Sequence, residues 1–183
     1  MKRLIFTFLL LLVTVVTFAV DNLFQAGGVD NNWSTVGNWS QGTVPTSTDG
    51  YVTRFDATSP NCTVNAMNRT VNALDFTGYT NTITMSYQIG VYGNVTLSST
   101  MTIFGTGYLK CEVGLDITSN TKIIPYFNLG SNTKTINLID NLTIGVALFQ
   151  YSSAIITLNS NTMYISGDFN SGITTGVLTG TNS

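Results

Sequence analysis

Beyond its first twenty residues, the chain is a succession of short segments in which apolar residues alternate with Thr, Ser or Asn. Runs with this period of two that are rich in Val, Ile, Thr, Tyr and Phe and bounded by Gly, Asn or Ser are typical of β-strands. The predicted strands are 51–56, 62–66, 72–78, 81–87, 94–99, 101–104, 115–119, 134–139, 141–145, 154–160 and 162–169. Apolar residues at helical spacing over three turns do not occur in this part of the sequence, so we predict an all-β protein.

The strands also resemble one another. Aligning "LDFTG", "NVTLS", "LDITS", "NLTIG" and "DFNSG" matches the apolar positions Leu74, Val95, Leu115, Leu142 and Phe169, at intervals of about twenty residues that widen to the middle twenties. A repeat of short strands and turns with this length is typical of a solenoid, in which each repeat is one coil. We therefore predict a right-handed parallel β-helix (β-solenoid) over residues 51–183. Recurring Asn and Thr at the turns would form ladders of side-chain hydrogen bonds between coils.

An antiparallel β-sandwich is the alternative fold, because it also has many short strands separated by turns. The segment "GVALFQYSSAIITL" (145–158) is apolar at both alternating phases. Strands with a packed inner face and a weakly polar outer face have this composition, which favours the solenoid.

The first nineteen residues have the plan of a secretory signal peptide. Lys2 and Arg3 precede an uncharged apolar run that starts at Leu4, and small residues near Ala19 provide a cleavage site. We predict cleavage after Ala19, export to the cell surface or the medium, and no membrane segment beyond the leader. An uncleaved anchor is the alternative, because the run is near the length of a membrane-spanning helix.

Residues 31–50, within the segment 20–50, contain both tryptophans of the chain and lack the strand pattern. They carry the motif W-S-x3-N-W-S-x-G-x2-P-x3-D, with Trp33, Trp39, Gly42, Pro45 and Asp49 as its fixed points. Glycine permits a tight reversal, proline fixes φ, and aspartate can accept backbone N–H bonds in a turn. The first coil of a solenoid needs a cover over its apolar interior and its unpaired edge. We predict that this segment is an N-terminal cap.

This motif resembles the start of repetitive β-solenoid surface proteins of bacteria and their phages, and a similar opening occurs in the G8-type domain. The segments "SPNCTVNAMNRTVNALDFTGYTNTITM" (59–85) and "TMYISGDFNSG" (162–172) are similar to coils and turns of such proteins. The resemblance implies an exported, adhesin-like solenoid. Such proteins are usually longer, and the pattern is still in progress at Ser183, so we expect truncation of the coils at the C-terminus.

Composition excludes several function classes. Charged residues make up only 9% of the chain, and removal of the leader leaves five basic against nine acidic residues, so no basic patch for nucleic acid is present. The chain has no histidine, which excludes Ser-His-Asp and Cys-His catalysis. Zinc-ligand clusters, acid-rich calcium loops and phosphate-binding loops are also absent from the sequence. We predict no metal and no cofactor.

Two sets of residues could still carry a function. Paired carboxylates would cleave a polysaccharide, and the candidates near the repeating positions are Asp75, Asp116, Asp140 and Asp168. Isolated solubilising residues are the simpler interpretation of these acids. Exposed aromatic rings would stack on sugars, and the candidates are Tyr79, Tyr87, Tyr92, Tyr108, Tyr126, Tyr151 and Tyr164. Half-buried packing residues are the simpler interpretation of these tyrosines.

Cys62 and Cys111 allow two interpretations. In an exported protein they could form a disulfide. We favour two separate buried thiols, because a bridge needs Cα atoms within about 7 Å and nothing in the sequence places them so close.

These observations together predict a secreted or cell-surface structural and adhesion protein without catalysis, which presents a polar Thr, Ser and Asn face to glycans or other surface polymers. The alternatives are the N-terminal part of a polysaccharide lyase or glycoside hydrolase with a β-helix fold, and a carbohydrate-binding module. The sequence leaves the oligomeric state open.

Overall fold

The structure of the chain is a computed structural model, which describes residues 20–130, 134–150 and 155–171. The predicted leader (1–19) and residues 172–183 lie outside the described residues. The strands are β1 (Asp21–Leu23), β2 (Val52–Arg54), β3 (Cys62–Val64), β4 (Arg69–Val71), β5 (Ala73–Asp75), β6 (Thr82–Met85), β7 (Ile89–Val91), β8 (Val95–Thr96), β9 (Thr102–Gly105), β10 (Leu109–Cys111), β11 (Leu115–Thr118), β12 (Ile123–Asn128), β13 (Thr135–Leu138), β14 (Leu142–Gln150), β15 (Ile155–Thr157), β16 (Met163–Ile165) and β17 (Asp168–Ser171). A 3-10 turn at Val36–Asn38 lies between β1 and β2.

The strands form three parallel sheets. The first sheet has the order β1-β2-β5-β8-β11-β13-β15, the second has β4-β7-β10-β12-β14-β16 with β17 also on β14, and the third has β3-β6-β9. All pairings between these named strands are parallel. Each strand therefore lies on its counterpart from the previous coil, and the prediction of an all-β parallel solenoid is confirmed, with about five turns. The antiparallel sandwich is wrong.

The cross-section of the solenoid changes along the chain. The early coils have three sides, because the chain passes from β2 through β3 and β4 before it returns to the first sheet at β5. The third sheet ends at β9. In the later coils the six-residue β12 and the nine-residue β14 run along the side opposite the first sheet, so these coils have two main sides.

The register of the first sheet gives the true repeat. Leu74 lies beside Val95, Val95 beside Ile117 and Ile117 beside Leu138, which are steps of 21, 22 and 21 residues. All four side chains are buried. They form one inward row of the core, and alternate residues on the same strands face outward.

The predicted alignment was correct for Leu74 and Val95 and wrong further along. Leu115 is not the counterpart of Val95, because Val95 pairs with Ile117, two residues further along β11. On the next coil, Leu115 lies beside Ile136. Leu142 and Phe169 belong to the second sheet. Leu115 was misaligned because alternation with a period of two is unchanged by a shift of two residues. Leu142 and Phe169 were misaligned because strands on different sides of a coil share the same pattern.

Among residues 20–130, 134–150 and 155–171, the structure contains no helix long and apolar enough to cross a membrane.

Candidate binding surfaces

An aromatic cluster fills the first coils beneath the segment 20–50. The rings of Phe24, Phe55 and Phe76 stack at centroid distances of 5.1 and 4.7 Å, one from each successive coil. The ring of Trp39 packs edge-on against the ring of Phe24, at a centroid distance of 5.0 Å, and against that of Trp33, at 4.9 Å. All five side chains are at most 2% exposed. The two tryptophans therefore pack against the aromatic core of the first coils.

The same segment also forms hydrogen bonds with backbone groups at the edges of two sheets. The Trp39 indole Nε1–H donates to the carbonyl oxygen of Trp33 at 2.7 Å. Ser40 donates its backbone N–H to Leu23 O at 2.9 Å, and its hydroxyl accepts the N–H of Leu23 at 2.8 Å. On the third sheet, Trp33 N–H donates to Thr63 O at 2.8 Å. Backbone groups of the first strands are thus bonded to the cap rather than left for another chain.

The other motif residues, Gly42, Pro45 and Asp49, lie in the turns that lead into β2. Gly42 has φ of +65°, the left-handed conformation that glycine adopts without strain. Pro45 is buried. The Asp49 carboxylate accepts the backbone N–H groups of Thr46 at 2.7 Å and Tyr51 at 2.9 Å, and so holds the turn that leads into the coil.

The two cysteines lie on different sheets and are both free. Cys62 belongs to β3 and Cys111 to β10, and both are buried. The disulfide alternative is therefore not formed in the structure. Burial raises the pKa of both thiols, that of Cys111 to about 12. Lys134 lies beside this site, and its Nζ donates to the backbone oxygen of Cys111 at 2.6 Å.

The outward rows of the first sheet form a mainly polar surface, which we call the first-sheet face. One row runs through Asp21, Val52, Ala73, Asn94, Asp116, Asn137 and Thr157, and the other runs through Leu23, Arg54, Asp75, Thr96 and Thr118. A broad depression of about 490 Å³ lies over its early strands.

Side chains of the first-sheet face bond to one another across the coils. Arg54 forms an ion pair with Asp21 at 2.7 Å. The Asn94 side-chain oxygen accepts the backbone N–H of Asp116 at 3.0 Å, and the Asp116 carboxylate accepts the amide of Asn137 at 2.9 Å. The face is therefore an ordered array of polar groups, in which hydrogen bonds fix several of the side chains.

The predicted ladders exist in a modified form. Asn61 accepts the backbone N–H of Thr82 at 2.9 Å, and Asn141 accepts that of Thr162 at 2.8 Å, in each case across one coil. These bonds run from side chain to backbone instead of between stacked identical side chains. The reason is that each asparagine lies in a turn just before a strand, where a backbone N–H of the next coil lies within reach of its side chain.

The four candidate aspartates are not brought together. Asp75 and Asp116 are on the first-sheet face, but two strands and two residues apart in register. Asp168 begins β17 on the second sheet. Asp75 accepts two bonds from Thr77, and Asp140 accepts the backbone N–H groups of Ser119 and Asn120, so these acids hold turns. No cluster of three or more acidic or cysteine side chains that could hold a metal occurs in the described part of the chain.

The tyrosines do not form one stripe. Tyr79 is fully buried, with its hydroxyl 2.9 Å from the carbonyl oxygens of Pro60 and Thr82, so it is a core residue. Tyr151 lies outside the described residues. Tyr87 and Tyr108 line one cavity, and Tyr92, Tyr126 and Tyr164 are not among the residues that line it.

That cavity is a groove of about 240 Å³ at the turns between the third and second sheets. We call it the tyrosine groove, and its main lining residues are Met67, Asn68, Tyr87, Gln88, Gly107 and Tyr108. The sequence interpretation named the two tyrosines and missed the other four. Their spacing was a usable signal, because Asn68, Gln88 and Tyr108 recur every 20 residues and Tyr87 and Gly107 are also 20 apart.

Comparison of the chain with protein-family models, with curated proteins and with solved structures gives no match in any of the three. The resemblance of the opening motif to solenoid surface proteins and to the G8-type domain stays a prediction, and the functional argument rests on the coils, the cap and the two surfaces described above.

Proposed function

We propose that the chain is a secreted or cell-surface structural and adhesion protein, without catalysis, whose coils present ordered polar surfaces to glycans or other surface polymers. A β-solenoid fold is consistent with a structural or surface protein. The observation that carries the proposal is the first-sheet face, where polar side chains occupy most positions of the two outward rows and several bond across the coils.

The physical basis is the rigidity of this surface. Hydroxyl and amide groups both donate and accept hydrogen bonds, so they bind hydrated polymers without a net charge. Groups that are already fixed lose less conformational entropy on binding than free side chains do. Many weak contacts on a repeating surface can then add up to useful adhesion.

The positions of the aspartates argue against the polysaccharide-cleaving alternative. Glycosidase mechanisms use two carboxyl groups about 5 to 10 Å apart that flank the scissile bond. Asp75 and Asp140 are hydrogen-bonded in turns, and Asp116 bonds to Asn137. Asp75 and Asp116 are also two strands and two residues apart in the register of the first sheet.

Export and turnover test the proposal together. The full chain is produced in a bacterial host, and mass spectrometry of the cell-surface and medium fractions identifies its first residue. We expect a product that begins at Val20. Substitution of both Lys2 and Arg3 by Glu should keep the chain inside the cell, because the positive start of the leader is lost.

The exported product is then incubated with a panel of polysaccharides, and reducing ends and unsaturated products are measured. We expect no turnover. Turnover that disappears in Asp116→Ala would overturn the proposal in favour of a polysaccharide-cleaving enzyme, and retention of the wild-type chain in the cytoplasm would overturn it as a surface protein.

A further inference from the structure

The tyrosine groove combines exposed aromatic and apolar side chains with amide groups. Tyr87 is 41% exposed and Met67 is 70% exposed, although apolar side chains fill the interior of the same coils. Between them lie amide groups on neighbouring coils. An aromatic and apolar lining with a few convergent polar groups is the usual composition of a small-molecule site.

The coil repeat places these groups in register. Asn68, Gln88 and Tyr108 immediately precede Arg69, Ile89 and Leu109, which pair with one another in β4, β7 and β10. The three side chains therefore follow one another at the strand spacing of about 4.8 Å. Gln88 donates from Nε2 to the Asn68 side-chain oxygen at 3.2 Å, which links the two amides across neighbouring coils.

Gly107 keeps the two tyrosine-bearing turns close together. Its N–H donates to Met85 O at 2.7 Å, and an added Cβ would collide with the carbonyl oxygen of Tyr87. A residue with a side chain cannot occupy this position without moving the turn. The groove is thus held by backbone contacts between two coils and exists before any ligand binds.

The lining chemistry selects a class of ligand. Tyrosine offers an apolar ring with a polar tip, and carboxamides offer both donors and acceptors, which together match a molecule with C–H faces and hydroxyl edges. None of the residues that line the groove is charged. We propose that the tyrosine groove binds a neutral oligosaccharide segment, with Tyr87 and Tyr108 as stacking residues and Gln88 and Asn68 as hydroxyl-binding residues.

The size of the groove agrees with a short segment of a polymer. Ligand pockets typically measure about 300 to 1,000 Å³, and this groove of about 240 Å³ is slightly smaller. One or two sugar rings of a longer chain would occupy it. The inference rests on the proposed adhesive function and adds one defined site to the contacts of the first-sheet face.

Affinity electrophoresis tests this site with the full exported chain. Native gels contain a neutral polymer (β-1,3-glucan, galactomannan or arabinoxylan) or an acidic one (alginate or polygalacturonate). We expect at least one neutral polymer to retard the chain. Tyr87→Ala, Tyr108→Ala and Gln88→Ala should each weaken that binding about tenfold, as expected for truncation of a residue central to a contact.

Two control variants are matched to these. Tyr92→Ala removes a tyrosine of similar exposure, 42%, that lies outside the groove. The double variant Thr96→Lys and Thr118→Lys alters the first-sheet face. Tyr92→Ala should bind as the wild type does, and the double variant distinguishes binding by the groove from binding by the first-sheet face. The thermal midpoint of each variant is measured, and Tyr108→Leu replaces Tyr108→Ala if the alanine variant does not fold.

Three results would overturn the site: no retardation by any neutral polymer, retardation by acidic polymers alone, or groove variants that bind as the wild type does. Loss of binding only in the Thr96→Lys and Thr118→Lys variant would overturn the groove and leave the proposed adhesive function intact. Failure of export or the appearance of turnover would instead overturn the proposed function itself.

Discussion

Single asparagine side chains link successive coils in the turns, where strand pairing ends. A parallel strand pair satisfies its backbone groups only along the paired residues, and the first N–H of a strand needs another acceptor. Asn61 supplies one to Thr82, and Asn141 supplies one to Thr162. The high asparagine content of the chain therefore contributes to stacking of the coils as well as to solubility.

Asn61→Ala should lower the free energy of unfolding by about 0.5–1 kcal/mol, because it removes one acceptor at a solvent-exposed site. Asn61→Asp keeps an oxygen in the same position and should be close to the wild type at pH 7. Urea denaturation measures both. Equal losses in the two variants would show that the bond to Thr82 is not the source of stability.

Both thiols should be unreactive in the folded chain, because burial raises the pKa of Cys62 and Cys111 and denies a reagent access to them. At pH 8, a thiol reagent should label no cysteine in the native protein and two after denaturation. Ser99→Cys adds an exposed thiol and serves as a positive control. A reduction-dependent shift in gel mobility would contradict the free thiols seen in the structure.

At the scale of elements, the cap and the first coils form one packing unit. Trp39 contacts rings from both the cap and β-strand coils, and its indole N–H bonds within the cap. A solenoid coil is stabilised by its neighbours, so the first coil depends on the cap for its missing neighbour.

Trp39→Ala should lower the free energy of unfolding by about 3–5 kcal/mol, the usual cost of removing a buried large aromatic side chain. Phe104→Ala, on β9, removes an aromatic ring that is 67% exposed and should cost much less. Chemical denaturation compares the two. Similar losses in both variants would mean that Trp39 does not contribute to stability through the cap cluster.

At the scale of the whole molecule, charge has a small role. The chain contains no histidine, and its seven basic and nine acidic residues are spread over 183 positions. Hydrogen bonds from the Thr58 side chain and backbone lower the pKa of Asp56 in the folded state. A lowered carboxyl pKa stabilises the fold at a pH above the unfolded pKa, and this contribution is lost as the pH falls through the folded value.

The thermal midpoint should therefore be nearly constant between about pH 5 and 8 and should fall below about pH 4, where carboxyl groups become protonated. In Asp56→Asn, the amide oxygen can still accept the bonds from Thr58, while the titrating group is gone. The acid-induced fall should be shallower in this variant. A strong change in midpoint near pH 6.5 would contradict the expectation.

Much of the fold was accessible from local patterns. Alternation with a period of two predicted the third sheet and every strand of the first sheet except β1, which lies in the segment expected to be the cap. It missed the short strands β4, β7 and β10 of the second sheet. The long β12, from Ile123 to Asn128, was missed, because Pro125 interrupts the expected strand pattern. The shift from Leu115 to Ile117 was missed because both residues face inward and either one fits the pattern.

The candidate site was less accessible, because turn residues have no fixed alternation. Tyr79 and Tyr87 both follow strand-like runs, yet one is in the core and the other is on the surface. Asp75 and Asp116 occupy similar sequence contexts, and only the register shows that they are not neighbours.

The sequence by itself determined the all-β class and a repeat near twenty residues, because strand alternation and turn residues are local patterns that recur along the chain. Only the tertiary structure decided which residues stack on which, that the two thiols stay apart, and that Tyr87, Gln88 and Tyr108 share a groove. Those outcomes depend on how successive coils align, and contacts between residues about twenty positions apart fix that alignment.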